Sequence, residues 1–251
     1  MATSCRPSVS VPEHVITMEE TLEPARERHA GHPQLPPALR LMENTGVRTR
    51  HIVQPIEETL KHPGFEDRDR LYEREAKARV PAVVQRALDD AELLTTDIDV
   101  IIYVSCTGFM MPSMTAWLIN KMGFESTTRQ IPIAQLGCAA GGAAINRAHD
   151  FCTACHEANA LIVACEFCSL CCQPTDIGVG SLLSNGLFGD GIAGAVVLDA
   201  LRRLFDEGGV HDRARGLPAG FGPGITAEMS LGRWQTADER TSDELQGVRQ
   251  A

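Results

Sequence analysis

No apolar run in the 251 residues approaches the roughly 18 that a membrane-spanning helix requires. Met1 to Val11 also lack the charged-then-apolar order of a secretory leader. A cytoplasmic protein is therefore expected, and in that reducing compartment its nine cysteines count as free thiols. Basic residues are scarce: 23 Lys and Arg stand against 33 Asp and Glu, a net charge of -10. Bulk electrostatics then disfavours nucleic acid as a partner, although a local basic pocket for an anionic ligand is still allowed. What the chain does have is apolar material. At 43% hydrophobic it can build a core, as one large domain or two small ones.

Residues 1–10 are small and polar and read as frayed. Thr17-Met18-Glu19-Glu20 is a capping box that opens a helix to about Arg28. A Pro/Gly break follows from His29 to Pro37, then a short helix from Ala38 to Glu43. Phe65 to about Leu94 carries an apolar stripe, with Pro81 as a kink or restart. Asp99 to Val104 is almost continuously apolar, the mark of a strand buried on both faces. Ser113 caps the next helix, Met114 to Lys121. Arg129 to Ala134 reads as a strand, Ala143 to Phe151 as a helix, and Ala160 to Cys165 as another buried strand. Gly178 to Leu187 and Leu198 to Asp206 read as helices, and Ile225 to Leu231 alternates like a strand. Gln235 to Ala251 is a polar tail. This order gives an α/β layered fold with a largely parallel sheet, whose ligands bind at the carboxyl ends of strands.

Cys138 stands between the strand and the helix, in Gln135-Leu136-Gly137-Cys138-Ala139-Ala140-Gly141-Gly142. There backbone N–H groups and the helix dipole favour negative charge, and the thiolate is the reactive form of cysteine. Cys138 is the candidate covalent nucleophile; the competing reading is a small buried hydrophobe. Cys106 lies at the end of another such strand. The series Cys152, Cys155, Cys165, Cys168, Cys171 and Cys172, with His156, has zinc-ribbon-like spacing. Cys165 ends an apolar strand, however, and a core exists without a metal, so buried thiols are the favoured reading.

The stretch from Val104 to Val197 resembles the type III polyketide synthases, the chalcone-synthase-like branch of the thiolase-fold condensing enzymes. Three segments carry the resemblance in the family's order: the Cys138 turn, Leu187-Phe188-Gly189-Asp190-Gly191, and Gly220-Phe221-Gly222-Pro223-Gly224. Thr107 to Pro112 and Glu166 to Leu170 look most like the bacterial tetrahydroxynaphthalene synthases within that family. The resemblance implies an αβαβα thiolase-like fold and a homodimer. It also implies decarboxylative condensation of malonyl-CoA or a related acyl-CoA, with cyclisation to an aromatic polyketide. Coenzyme A thioesters would be substrates, and no bound cofactor or metal is implied. Cys138 would carry the thioester and Phe188 would be the gatekeeper before it. Cys106 and Thr107 would line the cavity wall, Met111 would reach into the partner's cavity, and Gly222 would shape the floor. Arg40, Arg48 and Arg50 would lie near the coenzyme A phosphates; their competing reading is a solvated face.

The family's second half also supplies a histidine and an asparagine, and neither is found here in its context. His149 is eleven residues beyond Cys138 on one helix, about 16 Å along its axis. Where the asparagine would precede Ile192-Ala193-Gly194-Ala195-Val196-Val197, this chain has Gly191. The sequence therefore divides into 1–197, a first thiolase-like repeat; 198–234, the C-terminal end of the second; and 235–251, the tail. An internal segment on the order of a hundred residues is inferred to be absent. Ile192 to Val197 should then be a strand in one context and a helix in the other, and some strands should lose partners. The alternative function is a non-catalytic remnant that pairs with an intact synthase.

Overall fold

Val100–Val104 is buried at every position, as its uninterrupted apolar character requires, and the sheet forms around it. The computed structural model describes residues 7–61, 63–155, 158–176 and 178–194, with segments 215–216, 219–222, 226–229 and 232–233. In the first part of the chain the strands are β1 (Ser8–Ser10), β2 (His14–Thr17), β3 (Thr49–Ile52), β4 (Val100–Val104), β5 (Arg129–Ile133), β6 (Ala160–Phe167) and β7 (Asp190–Gly194). Five of them make one sheet in the order β1-β7-β6-β4-β5. β4 is parallel to β5 and β6, while β7 runs antiparallel to β6 and β1 antiparallel to β7. Only β7 opposes the rest, so the sheet is largely parallel.

Side chains alternate across a strand, and here each face meets helices. Ile101 and Tyr103 of β4, with Leu161, Val163, Cys165 and Phe167 of β6, meet Val80, Val83, Val84 and Leu88 of α4 (Phe65–Ala91). Leu118 of α5 (Met114–Met122) joins that cluster. On the other face Val100, Ile102, Val104 and Ile162 meet Ala140 and Ala144 of α6 (Ala140–Ala154). Each fully buried aliphatic contributes about 1.5–3 kcal/mol of transfer free energy, so both helix layers are held by apolar burial. Pro81 is accommodated inside α4 without dividing it.

Local signals set the helix starts. The Thr17 hydroxyl accepts the Glu20 N–H at 3.2 Å, and a Glu20 carboxylate oxygen accepts the Thr17 N–H at 2.8 Å, opening α1 (Met18–Arg28). Ser113 accepts the Ala116 N–H at 3.3 Å and opens α5. Beside α1 lie α2 (Leu35–Glu43) and α7 (Val179–Leu187), where Leu35, Ala38 and Leu182 make a smaller core. β2 and β3 pair antiparallel, and the short α3 (Ile56–Thr59) follows them.

Two expectations change. Residues 8–10 are not frayed: β1 pairs with β7, a ladder of three residues too short to show a period in sequence. Of the segment with two contexts, 192–194 belong to the strand Asp190–Gly194, with Ile192 buried in the α4 cluster, while 195–197 lie outside the described residues. β5 is an edge strand, paired with β4 alone and with no buried residue. The C-terminal part shows β8 (Arg215–Gly216) paired with β11 (Gly232–Arg233), and β9 (Ala219–Gly222) with β10 (Thr226–Met229). The helix read at Leu198 to Asp206 and the tail 235–251 lie outside the described residues.

Candidate active site

Three parallel strands, β4, β5 and β6, end on one edge of the sheet, and each delivers part of a site there. From β5 the chain turns sharply. Gln135 adopts φ 67 and Gly137 φ 51, both in the left-handed region. Glycine takes that conformation at no steric cost; for Gln135 it costs about 1–3 kcal/mol, strain of a kind that clusters at functional turns. Gly137–Ala139 then form one 3-10 turn that runs directly into α6. Cys138 is on this turn, exposed, with the first N–H groups of α6 just beyond it.

From β4 come Ser105, Cys106 and Thr107, held to the end of β6 by Glu166. Its carboxylate accepts the Cys106 N–H at 3.0 and 3.1 Å and the Thr107 hydroxyl at 2.7 Å. Thr107 Oγ1 accepts the Phe167 N–H at 2.8 Å, which closes the clamp. Burial raises the Glu166 pKa, and the hydrogen bonds from Thr107 and Cys106 oppose that. Burial, then the Glu166 charge, push the Cys106 thiol up to about 12. The Cys171 and Cys138 thiols act on Cys106 in the same direction, as the smallest of these effects. The Cys171 thiol lies 3.7 Å from the Thr107 carbonyl and joins the same cluster.

At Ser105 begins a buried hydroxyl network. Tyr72 Oη is 2.9 Å from Tyr103 Oη and donates to Ser105 Oγ at 2.7 Å. Burial holds the Cys165 thiol beside it at about 12. The fully buried Cys165 and the half-buried Cys152 and Cys155 stand apart in the fold, on β6 and at the end of α6. Among the described residues no three His, Cys, Asp or Glu side chains converge as a metal site would require.

The remaining expected residues fall in several places. Gly222 ends β9, and β9 packs against the Cys138 turn and α6. From α6, Asn146 donates to the Met229 carbonyl of β10 at 3.3 Å. Met111 is 83% exposed and Phe188 44% exposed, the latter just past the end of α7. Arg40 and Arg48 are exposed. Arg50 is not on a solvated face. It is 8% exposed, and Nη1 donates to the carbonyls of Asn185 at 2.7 Å and Phe188 at 2.8 Å, while Nη2 donates to Thr21 Oγ1 at 2.5 Å. Both Nη groups are thus committed to the fold, while Nε is buried without a partner. A cleft of about 50 Å³ lies between α1, α2 and α7, lined among others by Arg28, His29, Met42, Cys172 and Asn185, away from Cys138.

Histidines do not approach the thiol through any hydrogen bond among the described residues. His51 Nδ1 donates to the Pro12 carbonyl at 2.6 Å, and His149 pairs loosely with Asp150 on α6 at 3.8 Å. His62, His156 and His211 lie outside the described residues. Sequence reasoning missed Glu166 and Asp190 as site-building groups. The signal was available: each is a carboxylate inside or at the end of an apolar strand, which is stable only with donors around it.

Comparison with known proteins agrees with this architecture. The family model for the N-terminal domain of chalcone and stilbene synthases matches residues 8–200. The 1,3,6,8-tetrahydroxynaphthalene synthase of Streptomyces coelicolor is 59% identical, over an alignment that takes in 100% of this chain and 96% of the relative. Phloroglucinol synthase of Pseudomonas fluorescens is 46% identical over 78% of this chain and 56% of its own length. The crystal structure of the S. coelicolor enzyme, a bacterial type III polyketide synthase, superposes with a TM-score of 0.90 over 94% of this chain and 100% of that one, at 59% identity. The first alignment runs over 362 positions against 251 residues, so 362 less 251, about 111, have no residue here. An internal gap of that size is what the two-context segment implied. The thiolase-like α/β fold is thereby established, and the chain belongs to the chalcone and stilbene synthase family, the type III polyketide synthases.

Proposed function

We propose that Cys138 accepts an acyl group from a coenzyme A thioester, as the first step of a polyketide-forming condensation. The observation that carries this reading is an exposed thiol on a strained strand-to-helix turn, at the edge where three parallel strands end, with α6 leading away from it. The thiolate would attack the thioester carbonyl, the carbon–sulfur bond to coenzyme A would break, and coenzyme A would leave as its thiol. Decarboxylation of a malonyl unit would then supply the carbon nucleophile that attacks the Cys138 thioester. A new carbon–carbon bond would form and Cys138 would be freed for the next transfer. Cyclisation of the grown chain would give an aromatic polyketide, the product class that the names of the relatives denote.

Full turnover is impaired in this reading, because the family's histidine and asparagine are not found in their contexts. Cysteine is intrinsically nucleophilic, so slow acylation survives that loss. Peptide mass spectrometry after incubation with malonyl-CoA and acetyl-CoA tests it. Acyl adducts on the Cys138 peptide with little or no polyketide released are expected. A folded chain with no adduct there overturns the acylation step, and robust aromatic product from malonyl-CoA overturns the impairment.

A second reading is favoured by the exposed Met111 and Phe109, two large apolar side chains on one loop. In it the chain is a non-catalytic partner that pairs through this surface with a second copy or an intact synthase. Co-purification with a full-length synthase, without acylation of Cys138, is its expected result.

A further inference from the structure

Among the described residues three cysteines are exposed: Cys106, Cys138 and Cys171. A site with three open thiols needs a group that decides which of them reacts, and Glu166 separates them. Its two carboxylate oxygens accept the Cys106 N–H, at 3.0 and 3.1 Å, and one of them also accepts the Thr107 hydroxyl at 2.7 Å. The negative charge therefore lies against Cys106 itself. The Cys171 thiol, at the end of the 3-10 turn Cys168–Cys171, reaches the same segment and donates to the Thr107 carbonyl at 3.7 Å. That segment cannot swing clear of the carboxylate. Asp69 Oδ1 on α4 accepts the Phe109 N–H at 2.8 Å, and Gly108 is pressed against the Tyr72 ring. Among the described residues Glu166 makes no hydrogen bond to the Cys138 turn. Cys138 instead precedes the first N–H groups of α6, the helix end that favours an anion.

A thiol beside a carboxylate is harder to ionise, because its thiolate would repel the charge already there, and the thiolate is the nucleophile. Burial and then the Glu166 charge hold the Cys106 thiol at about 12, so it is protonated at neutral pH. Cys171 is raised as well: burial leads, Arg68 opposes it, and Glu166 and Asp190 add to it. The groups facing the Glu166 carboxylate are Cys106 and Thr107 from the loop after β4, Cys165 on β6, Cys168 and Cys171 from the turn that follows, and Tyr72 from α4. The hydrogen bonds from Thr107 and Cys106 favour its ionised form against burial. We propose that Glu166 is a specificity-determining residue: its carboxylate keeps Cys106 and Cys171 as unreactive thiols, so that an electrophile arriving at this edge of the sheet is taken by Cys138. The inference rests on the proposed acyl transfer to Cys138, for which it supplies the selectivity.

The test uses the full chain and iodoacetamide between pH 7 and pH 10, with the rate at each cysteine peptide read by mass spectrometry. Iodoacetamide needs only a thiolate: a sulfur–carbon bond forms and iodide leaves. Failure of acylation by malonyl-CoA alone would therefore count against the proposed function and leave this inference standing. In the wild-type chain Cys106 and Cys171 are expected to react about tenfold or more slower than Cys138 at pH 8. Glu166→Gln keeps an acceptor oxygen and loses the charge. It should speed Cys106 about tenfold, speed Cys171 by less and move the pH profile of Cys106 down, with Cys138 changed by less than about twofold. Glu166→Asp keeps the charge and loosens the fit, so Cys106 should stay slow, which separates charge from packing. No acceleration in folded Glu166→Gln, or an equal acceleration in Glu166→Asp, overturns the proposal. Should Glu166→Gln not fold, the wild-type profile decides: Cys106 should still be accelerating at pH 10, and a rate that levels off below that, or one that matches Cys138, overturns it equally.

Discussion

Thr107 and Glu166 lock two strand ends together: the threonine hydroxyl donates to the carboxylate at 2.7 Å and at the same oxygen accepts the Phe167 N–H at 2.8 Å. Through this pair the loop after β4 is fixed against the end of β6, and Cys106 is carried into the neighbourhood of Cys138.

Glu166 makes that lock pH-dependent. Its folded pKa is raised by burial, so the carboxyl favours folding most while protonated. The contribution is complete below the unfolded value near 4.5 and is lost as pH rises through the raised folded value. Glu166→Gln cannot titrate. Urea unfolding of both proteins between pH 4 and pH 8 should therefore show the stability difference, wild type minus variant, largest at pH 4 and shrinking towards pH 8. A constant difference would refute this account.

Asp190→Ala should be among the most damaging single changes. It strips the acceptor from two buried N–H groups and one hydroxyl, each costing about 1–3 kcal/mol when left unsatisfied. A total loss on the order of 3 kcal/mol is expected from urea unfolding, with the transition slope unchanged. Asp190→Asn should lose less, because one amide oxygen still accepts.

Gly108 has no room for a methyl group. A Cβ there would lie 1.9 Å from Cγ of the Tyr72 ring, which is buried edge-on against Phe167 and bonded to Tyr103 and Ser105. Gly108→Ala is expected to cost at least the 1–3 kcal/mol typical of overpacking, roughly, because a network must shift as well as a ring. Thermal unfolding reads the loss. The double variant with Tyr72→Ala should recover part of what the glycine change removes.

Cys138→Ala should separate chemistry from stability. The thiol is exposed, so the stability change should stay within about 0.5 kcal/mol. Alkylation and acylation of that peptide should vanish, while adducts on the other cysteines remain. Persistence of acyl transfer to the chain at an unchanged rate would show that another thiol is the acceptor.

The element order from α4 to β6, the two helix caps and the doubly covered β4 were legible because each follows from local pattern: a period, a capping pair, an uninterrupted apolar run. The Cys138 turn was legible for the same reason, as small residues between a strand and a helix. β1 was not, since three residues carry no period and pair only because β7 offers an edge. Nor was the fate of 192–194, the described part of a stretch that suits two contexts. The buried cluster around α4 decided it by taking in Ile192.

By itself the sequence determined the family, the nucleophile candidate and the gap in the middle, since these reside in contiguous motifs and their order. The tertiary structure alone decided that Arg50 is a buried brace, that Glu166 clamps the loop after β4 and that Asp190 joins Val53 to Ser169. Those roles depend on hydrogen bonds between residues 21 to 138 positions apart, a separation that no local pattern encodes.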